Sequence, residues 1–289
     1  MFARISLSVV LSVFLYQSTA AQTDAAFPKQ EPGTKPPVLT GFTQLSEKEL
    51  QEGTILLFDG ISHYGWKNAA VKDGTLTFKG QLADSPLYFF GSKEVAGRWK
   101  ENTRFTPKTQ PIFDGKTLNG WKIQGKAAAK VENGAIRLTG GSGSLESEGK
   151  YADFVLQLEY KTDKPVNSGV FFRCIPGEVM NGYECQIFNN PPADDYKKFI
   201  GTDTGGIFRR QVGRNAGAKD GVWNYLTIVA FSDRIATWVN GIQVSDFQDD
   251  RKKDANPRKG LRTDAGTIQF QGHDATTDIL FRNIRIGTM

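Results

Sequence analysis

Beyond residue 113 the chain is written in short runs where apolar and polar side chains alternate, separated by Gly, Pro, Asn and Asp. The runs are Ala135–Leu138, Phe154–Tyr160, Gly169–Ile175, Gly182–Phe188, Trp223–Phe231, Ile235–Val239, Ile242–Phe247, Thr267–Gln271 and Asp278–Ile286. A period of two belongs to a strand with one face buried. Asn240-Gly241 between two such runs is a type I′ hairpin signal. Nine or so strands at this spacing, with hardly any helix, predict an all-β, antiparallel sandwich of jelly-roll type. The expected core is Trp121, Phe154, Leu156, Leu158, Val170, Phe172, Leu226, Ile228, Trp238, Val244, Ile268, Phe270, Ile279, Phe281 and Ile284. One short helix is expected after Ser46, where Glu49 completes a capping box.

The pattern also repeats. Leu57-Phe58-Asp59-Gly60 followed by Gly65-Trp66-Lys67 matches Ile112-Phe113-Asp114-Gly115 followed by Gly120-Trp121-Lys122, with the same four-residue gap. Val71 to Leu76, around Asp73-Gly74, resembles Val131 to Ile136, around Asn133-Gly134. Residues 42–110 therefore read as a partial N-terminal β repeat and residues 111–289 as the jelly-roll domain. The partial copy has no counterpart of the polar residues near 173 and 184, so its expected role is structural, such as cover for an otherwise exposed sheet edge. Residues 22–41, rich in Pro and polar residues, read as a linker. Ahead of it, Arg4, the apolar run Ile5–Tyr16 and the small residues around Ala20-Ala21 have the form of a signal peptide over residues 1–21. That run is too short to span a bilayer, so export to the periplasm or beyond is expected, with no transmembrane segment.

Composition changes this picture little. The formal charge is +5, or +4 without Arg4 (35 minus 31). Basic residues gather at Arg209/Arg210/Arg214 and from Arg251 to Arg262 without the aromatic interleaving of a nucleic-acid groove, so no nucleic-acid partner is expected. Two cysteines, Cys174 and Cys185, could pair across a hairpin or remain buried thiols. With only two histidines there is no zinc-type spacing.

Candidate chemistry concentrates between Asn167 and Asn190, where two strand-like runs flank a turn at Pro176-Gly177 and Asn181-Gly182. Alternation puts Tyr183, Cys185 and Ile187 on one face and Glu184 and Gln186 on the other. A pairing that sets Cys174 near Cys185 would add Arg173 to the polar face. Near the C-terminus, Gln269, Gln271 and His273 form a second polar row opposite Ile268 and Phe270. Together, Arg173, Glu184, Gln186, Gln271 and His273 would line one concave sheet face. The loop Thr204–Arg210, which carries Arg209, would stand at its rim. A solvated outer face with surface ion pairs is the plainer reading of the same residues.

Residues 111–289 resemble the 3-keto-disaccharide hydrolase family, also described as 3-keto-glucoside lyase/hydratase domains. The resemblance rests on FDGKTLNGW (113–121), NSGVFFRCIPG (167–177), GYECQI (182–187), TGGIFRR (204–210), WNYLTIVA (223–230), WVNGIQVSDF (238–247) and IQFQGHD with LFRNIRI (268–286). It implies a concanavalin A-like jelly roll and an exported enzyme acting on glycosides oxidised at C3. It also implies that Arg173, Glu184, Gln186, Gln271 and His273 lie in or near the cleft. A conventional glycosidase needs two carboxylates, and the position after Glu184 on its face is Gln186. A 3-keto sugar needs one base, because its ketone acidifies the C2 proton. Glu184 or His273 is the expected base, Arg173 or His273 the partner of the enolate oxygen, and Gln186, Gln271, Tyr183 and Arg209 contacts to the sugar. Glu184 with His273 could also hold a divalent metal ion. The alternative is a lectin-like carbohydrate-binding jelly roll without catalysis, with Tyr183, Phe188 or Trp223 as stacking platforms.

Overall fold

The computed structural model describes residues 32–33, 35–81, 85–90, 97–100 and 104–289. The leader expected at 1–21 lies outside them, as does the expected linker up to residue 31. The later part of the linker runs extended along the body, where Val38 bridges to Asn215 and Leu39 N–H donates to the Asn215 carbonyl.

The first unit holds α1 (Glu47–Gln51), β1 (Ile55–Leu56), β2 (Ala69–Lys72), β3 (Thr75–Phe78), a 3-10 turn (Pro86–Phe90), β4 (Gly97–Lys100) and β5 (Arg104–Phe105). Ser46 and Glu49 form the expected capping box at α1. Next come β6 (Gln110–Pro111), β7 (Trp121–Gly125), β8 (Ala128–Glu132), β9 (Ala135–Thr139), β10 (Gly143–Tyr151), β11 (Phe154–Lys161), β12 (Ser168–Cys174) and β13 (Tyr183–Ile187). After α2 (Ala193–Lys198) follow β14 (Asn224–Phe231), β15 (Arg234–Val239), β16 (Ile242–Gln248), β17 (Gly266–Gly272) and β18 (Asp278–Thr288).

These strands build an antiparallel jelly-roll sandwich. The front sheet runs β13-β12-β17-β10-β7; the back sheet runs β16-β15-β14-β11-β18-β9-β8, with β6 also on β18. Hairpins β2–β3, β8–β9 and β15–β16 turn at Asp73-Gly74, Asn133-Gly134 and Asn240-Gly241, where all six residues have positive φ as a type I′ turn requires. Between the sheets lie Leu145, Val170, Phe172, Ile268 and Phe270 from the front and Leu156, Ile228, Phe281 and Ile284 from the back.

The repeat is real down to its hydrogen bonds. Asp59 accepts from the Ile61 and Ser62 amides and the Ser62 hydroxyl; Asp114 accepts from Lys116, Thr117 and the Thr117 hydroxyl in the same way. The Trp66 indole donates to the Leu57 carbonyl and the Trp121 indole to that of Ile112, each nine residues upstream. The first copy covers the outer face of the back sheet and also reaches its edge strand β16, where the Tyr64 hydroxyl donates to the Val244 carbonyl. Leu57, Phe58, Trp66, Leu76, Phe78 and Phe89 form a second core with Val155, Val229, Ala236 and Trp238. Trp238, expected in the sandwich core, belongs to this outer one and donates its indole N–H to the Leu56 carbonyl.

Candidate active site

The outer face of the front sheet is polar apart from Phe171 on β12. In register across it, Glu184 pairs with Phe171, Phe171 with Gln269, Gln269 with Glu146, and Glu146 with Lys122. One step along, Gln186 pairs with Gly169, while Gln271 pairs with Ser144 and Ser144 with Gln124. Strand alternation thus brings Glu184, Gln186 and Gln271 to one face, as expected.

Glu184 sits in a cleft of about 130 Å³ lined by Gly182, Tyr183, Ile207, Phe208, Arg209, Arg210, Pro257 and Arg258. Its side chain lies over Gly169, where a Cβ would come 3.0 Å from Oε1, so the bare backbone of β12 makes room for the carboxyl group. Arg258 Nη2 stands 3.6 Å from Glu184 Oε2. That guanidinium also donates to the Met180 carbonyl at 3.0 Å and rests on the Phe171 ring. Burial pushes the Glu184 carboxyl up to about 7, against the opposing pull of Arg258 and then Arg209. A carboxyl group titrating near neutrality is matched to proton abstraction at neutral pH.

The rim loop is placed by backbone pairing with the edge strand β13. Gly205 N–H donates to the Gln186 carbonyl, Gln186 N–H to the Gly206 carbonyl and Phe208 N–H to the Glu184 carbonyl. Gly205 has φ +84°, and a Cβ there would press on Val244 at 2.4 Å, so only glycine lets the loop lie flat. The loop delivers Arg209 to the cleft, stacked on the rings of Phe199 and Phe208.

Beyond Gln186 the polar face continues as a chain. Gln186 Nε2 donates to Asn167 Oδ1 at 2.9 Å, and Asn167 Nδ2 lies 3.4 Å from His273 Nε2. His273 Nδ1 is 2.8 Å from Asp274 Oδ2. The side-chain amide oxygens of Gln186 and Gln271 are buried and accept no hydrogen bond from the protein.

Several expected members are elsewhere. Arg173 does not share the face of Glu184. A β-bulge between Phe171 and Cys174, with Arg173 at φ +49°, turns its side chain into the sheet end, where it is wholly buried. There it donates to the carbonyls of Ala152, Ser232 and Arg262 and to Asp153, so its capacity is spent on three turns. Tyr183 is not a stacking platform either. Its ring stacks on Phe172 in the core and its hydroxyl donates to Asp249, and burial pushes that hydroxyl up to about 12. His273 is exposed just past β17 and is separated from Glu184 by Gln186 and Asn167. Glu184 and His273 are thus not brought together as two ligands of one ion, and among the described residues no three His, Cys, Asp or Glu side chains converge on a metal position. Cys174 and Cys185 are free buried thiols: Cys185 pairs with Val170 and Cys174 with Thr267.

Sequence reasoning missed Glu146, on the unrecognised strand β10, and Arg258. Glu146 is a second carboxylate on the polar face, but three strand spacings from Glu184, about 14 Å at 4.7–4.9 Å each. That exceeds the 6.5–9.5 Å of an inverting glycosidase pair. Glu146 has a different task. Burial works to raise its pKa, yet bonds from Thr267, the Gly177 amide, Gln124 and Gln269 hold it below the usual carboxylate range. With Gln269, which accepts from the Met180 amide and donates to the Glu178 carbonyl, it clamps the β12–β13 loop onto the sheet.

Residues 108–287 match the 3-keto-alpha-glucoside-1,2-lyase-like domain. A 3-keto-disaccharide hydrolase of Bacteroides thetaiotaomicron is 26% identical, the match covering 61% of this chain and 76% of that protein. Two crystal structures described as glycosyl hydrolases of Parabacteroides distasonis share the fold. One has a TM-score of 0.53 at 22% identity, covering 63% of this chain and 94% of that one. The other has a TM-score of 0.50 at 23% identity, covering 63% and 100%.

Proposed function

The chain belongs to the 3-keto-alpha-glucoside-1,2-lyase-like domain family, and from that premise we propose that it cleaves 3-keto-glycosides with Glu184 as the base. The observation that carries this reading is the Glu184 carboxyl, raised to about 7 inside a cleft, with the Arg258 guanidinium 3.6 Å away. In a 3-keto-glycoside the C2–H bond and the C3 carbonyl are on adjacent carbons. A base and a cation that serve them must also be neighbours, as Glu184 and Arg258 are.

Glu184 takes the C2 proton, and the electron pair moves onto the C3 oxygen as an enolate. Arg258 stabilises that oxygen in the place first expected for Arg173. The pair then returns, C1–C2 becomes a double bond, and the C1–O bond breaks with its electrons on the leaving oxygen, which takes up a proton. Addition of water to C1, with a proton restored at C2, gives the 3-keto sugar and an alcohol. The net reaction is a hydrolysis; without the addition it is a lyase reaction. Gln186, paired with Gly169, and Gln271 floor the polar face on which the ring is placed beside Glu184. The leader-like pattern of residues 1–21 supports export as part of this reading, which N-terminal sequencing of the mature protein checks.

Purified protein given a 3-keto-disaccharide tests the assignment. Glu184→Gln is expected to lower kcat by about 10²–10⁴-fold, the usual contribution of a general base. Turnover equal to that of the parent removes Glu184 from the chemistry. Retention of the sugar with no product in the parent protein replaces the enzyme by a binding module.

A further inference from the structure

The cleft beside Glu184 holds more positive charge than the proposed reaction uses. Arg209, Arg210 and Arg258 all line it, against the single carboxyl group of Glu184. The other arginines of this region have their own carboxylates: Arg251 pairs with Asp249 at 2.7 Å and Arg262 with Asp264 at 3.8 Å. Among the described residues no carboxylate comes within ion-pair distance of Arg209 or Arg210. Arg210 donates to the carbonyls of Arg209 and Arg258, which ties the three guanidinium-bearing residues into one unit. Burial first, and then the neighbouring Arg251, weaken the hold of Arg210 on its proton, with Asp249 opposing. Like charges gathered without a counter-charge repel one another, and here they gather at the mouth of a cleft, with Arg209 and Arg258 exposed and Arg210 half-buried. Arg209 adds backbone strain, since it holds φ +62° without being glycine, fixed by its amide donating to the Ile200 carbonyl.

We propose that this cleft takes an oxyanion of the substrate, so that the preferred 3-keto-glycoside is an acidic one carrying a carboxylate, sulfate or phosphate group. The inference rests on the 3-keto-glycoside reading and adds the substrate class to it. Arg258 serves the enolate oxygen, and Arg209 and Arg210 bind the substituent through charge-assisted hydrogen bonds. The volume of about 130 Å³ suits one substituent, being well below the roughly 300–1,000 Å³ of a pocket that encloses a whole drug-sized ligand. The ring itself then lies on the open polar face toward Gln186 and Gln271.

The test compares kcat/KM for a neutral 3-keto-disaccharide with that for the same 3-keto sugar linked to glucuronate or to a 6-phosphorylated hexose. The acidic substrates are expected to win by about tenfold or more, the yield of one hydrogen bond to a charged group, with the margin shrinking in high salt. The two acidic arms separate carboxylate from phosphate. In Arg209→Gln/Arg210→Gln the acid-to-neutral ratio falls to about one, and in Arg209→Lys/Arg210→Lys it is largely kept, because charge is preserved. Equal kcat/KM for acidic and neutral substrates in the parent, or an undiminished ratio in the double Gln variant, overturns the proposal. If no 3-keto-glycoside is cleaved, the proposed function fails, and calorimetry with glucuronate against glucose decides the anion site by itself. Glucuronate binding that is lost in the double Gln variant upholds the site; no binding to the parent protein overturns it.

Discussion

In Glu184 burial and two arginines pull one carboxyl group in opposite directions, and burial prevails, leaving it near 7. The acid limb of kcat/KM is therefore expected at about pH 7, with activity rising as Glu184 loses its proton. Stability runs the other way. The native protein holds this proton more tightly than the unfolded chain, so the contribution is fully present below about 4.5 and is lost as pH rises through about 7. At 1.36 kcal/mol per pH unit this amounts to about 3 kcal/mol. Urea titrations should show Glu184→Gln gaining on the parent by up to that amount between pH 4 and pH 8; a gap that does not change with pH contradicts the buried, shifted carboxyl. Arg173 belongs to stability alone. Its replacement by Met removes four hydrogen bonds made from a wholly buried guanidinium to three part-buried turns and Asp153, at about 1.5–3 kcal/mol for each bond to a charged group before the freed partners are hydrated. The melting temperature is expected to fall while kcat per folded molecule holds. A kcat collapse in folded Arg173→Met would return that arginine to the chemistry.

At the scale of elements, the site is the product of three pieces that meet at the free edge of β13. The strand supplies Glu184 and Gln186, the 204–210 loop pairs along its outer edge, and Pro257-Arg258 closes the cleft. The β12–β13 loop is held in reach of Arg258 by Glu146 and Gln269 on strands two and three places away. Glu146→Ala is therefore expected to loosen this loop first. Hydrogen exchange should quicken at the amides of Gly177 and Met180 before it changes in the core amides of β12 and β17. Uniform protection across the loop in that variant would show that the clamp is redundant.

The whole molecule is a sandwich with a third layer. Without residues 42–106, Val155, Val229, Ala236 and Trp238 on the back sheet lose the partners that bury them. A contiguous apolar patch of this kind on a sheet face is an association hazard. A chain lacking that segment is expected to bind hydrophobic dye and to aggregate on gel filtration. Should it stay monodisperse with the parent's melting temperature, the N-terminal unit is not needed as cover. This layer also steadies the segment that follows the rim loop, since Arg214 donates to Asp59 and Ser62 and Gln211 donates to the Tyr64 hydroxyl.

Alternation and turn chemistry make most of this architecture legible in the sequence. Runs such as Phe154–Tyr160 and Asn240-Gly241 between strands leave the backbone few choices, because burial of one face and positive φ at the turn are local demands. The common face of Glu184, Gln186 and Gln271 followed from the same period of two. Strand β10, GSLESEGKY, was not legible because Gly, Ser, Glu and Lys carry little strand preference, and it is held by neighbours on both sides rather than by its own composition. Glu146 was lost with it. Only the tertiary structure decided where Arg173 points, since a single bulge inverts the face that alternation assigns. It alone put Arg258 beside Glu184 from a loop more than seventy residues downstream, because the approach of a loop to a strand is set by packing and not by any period in the chain.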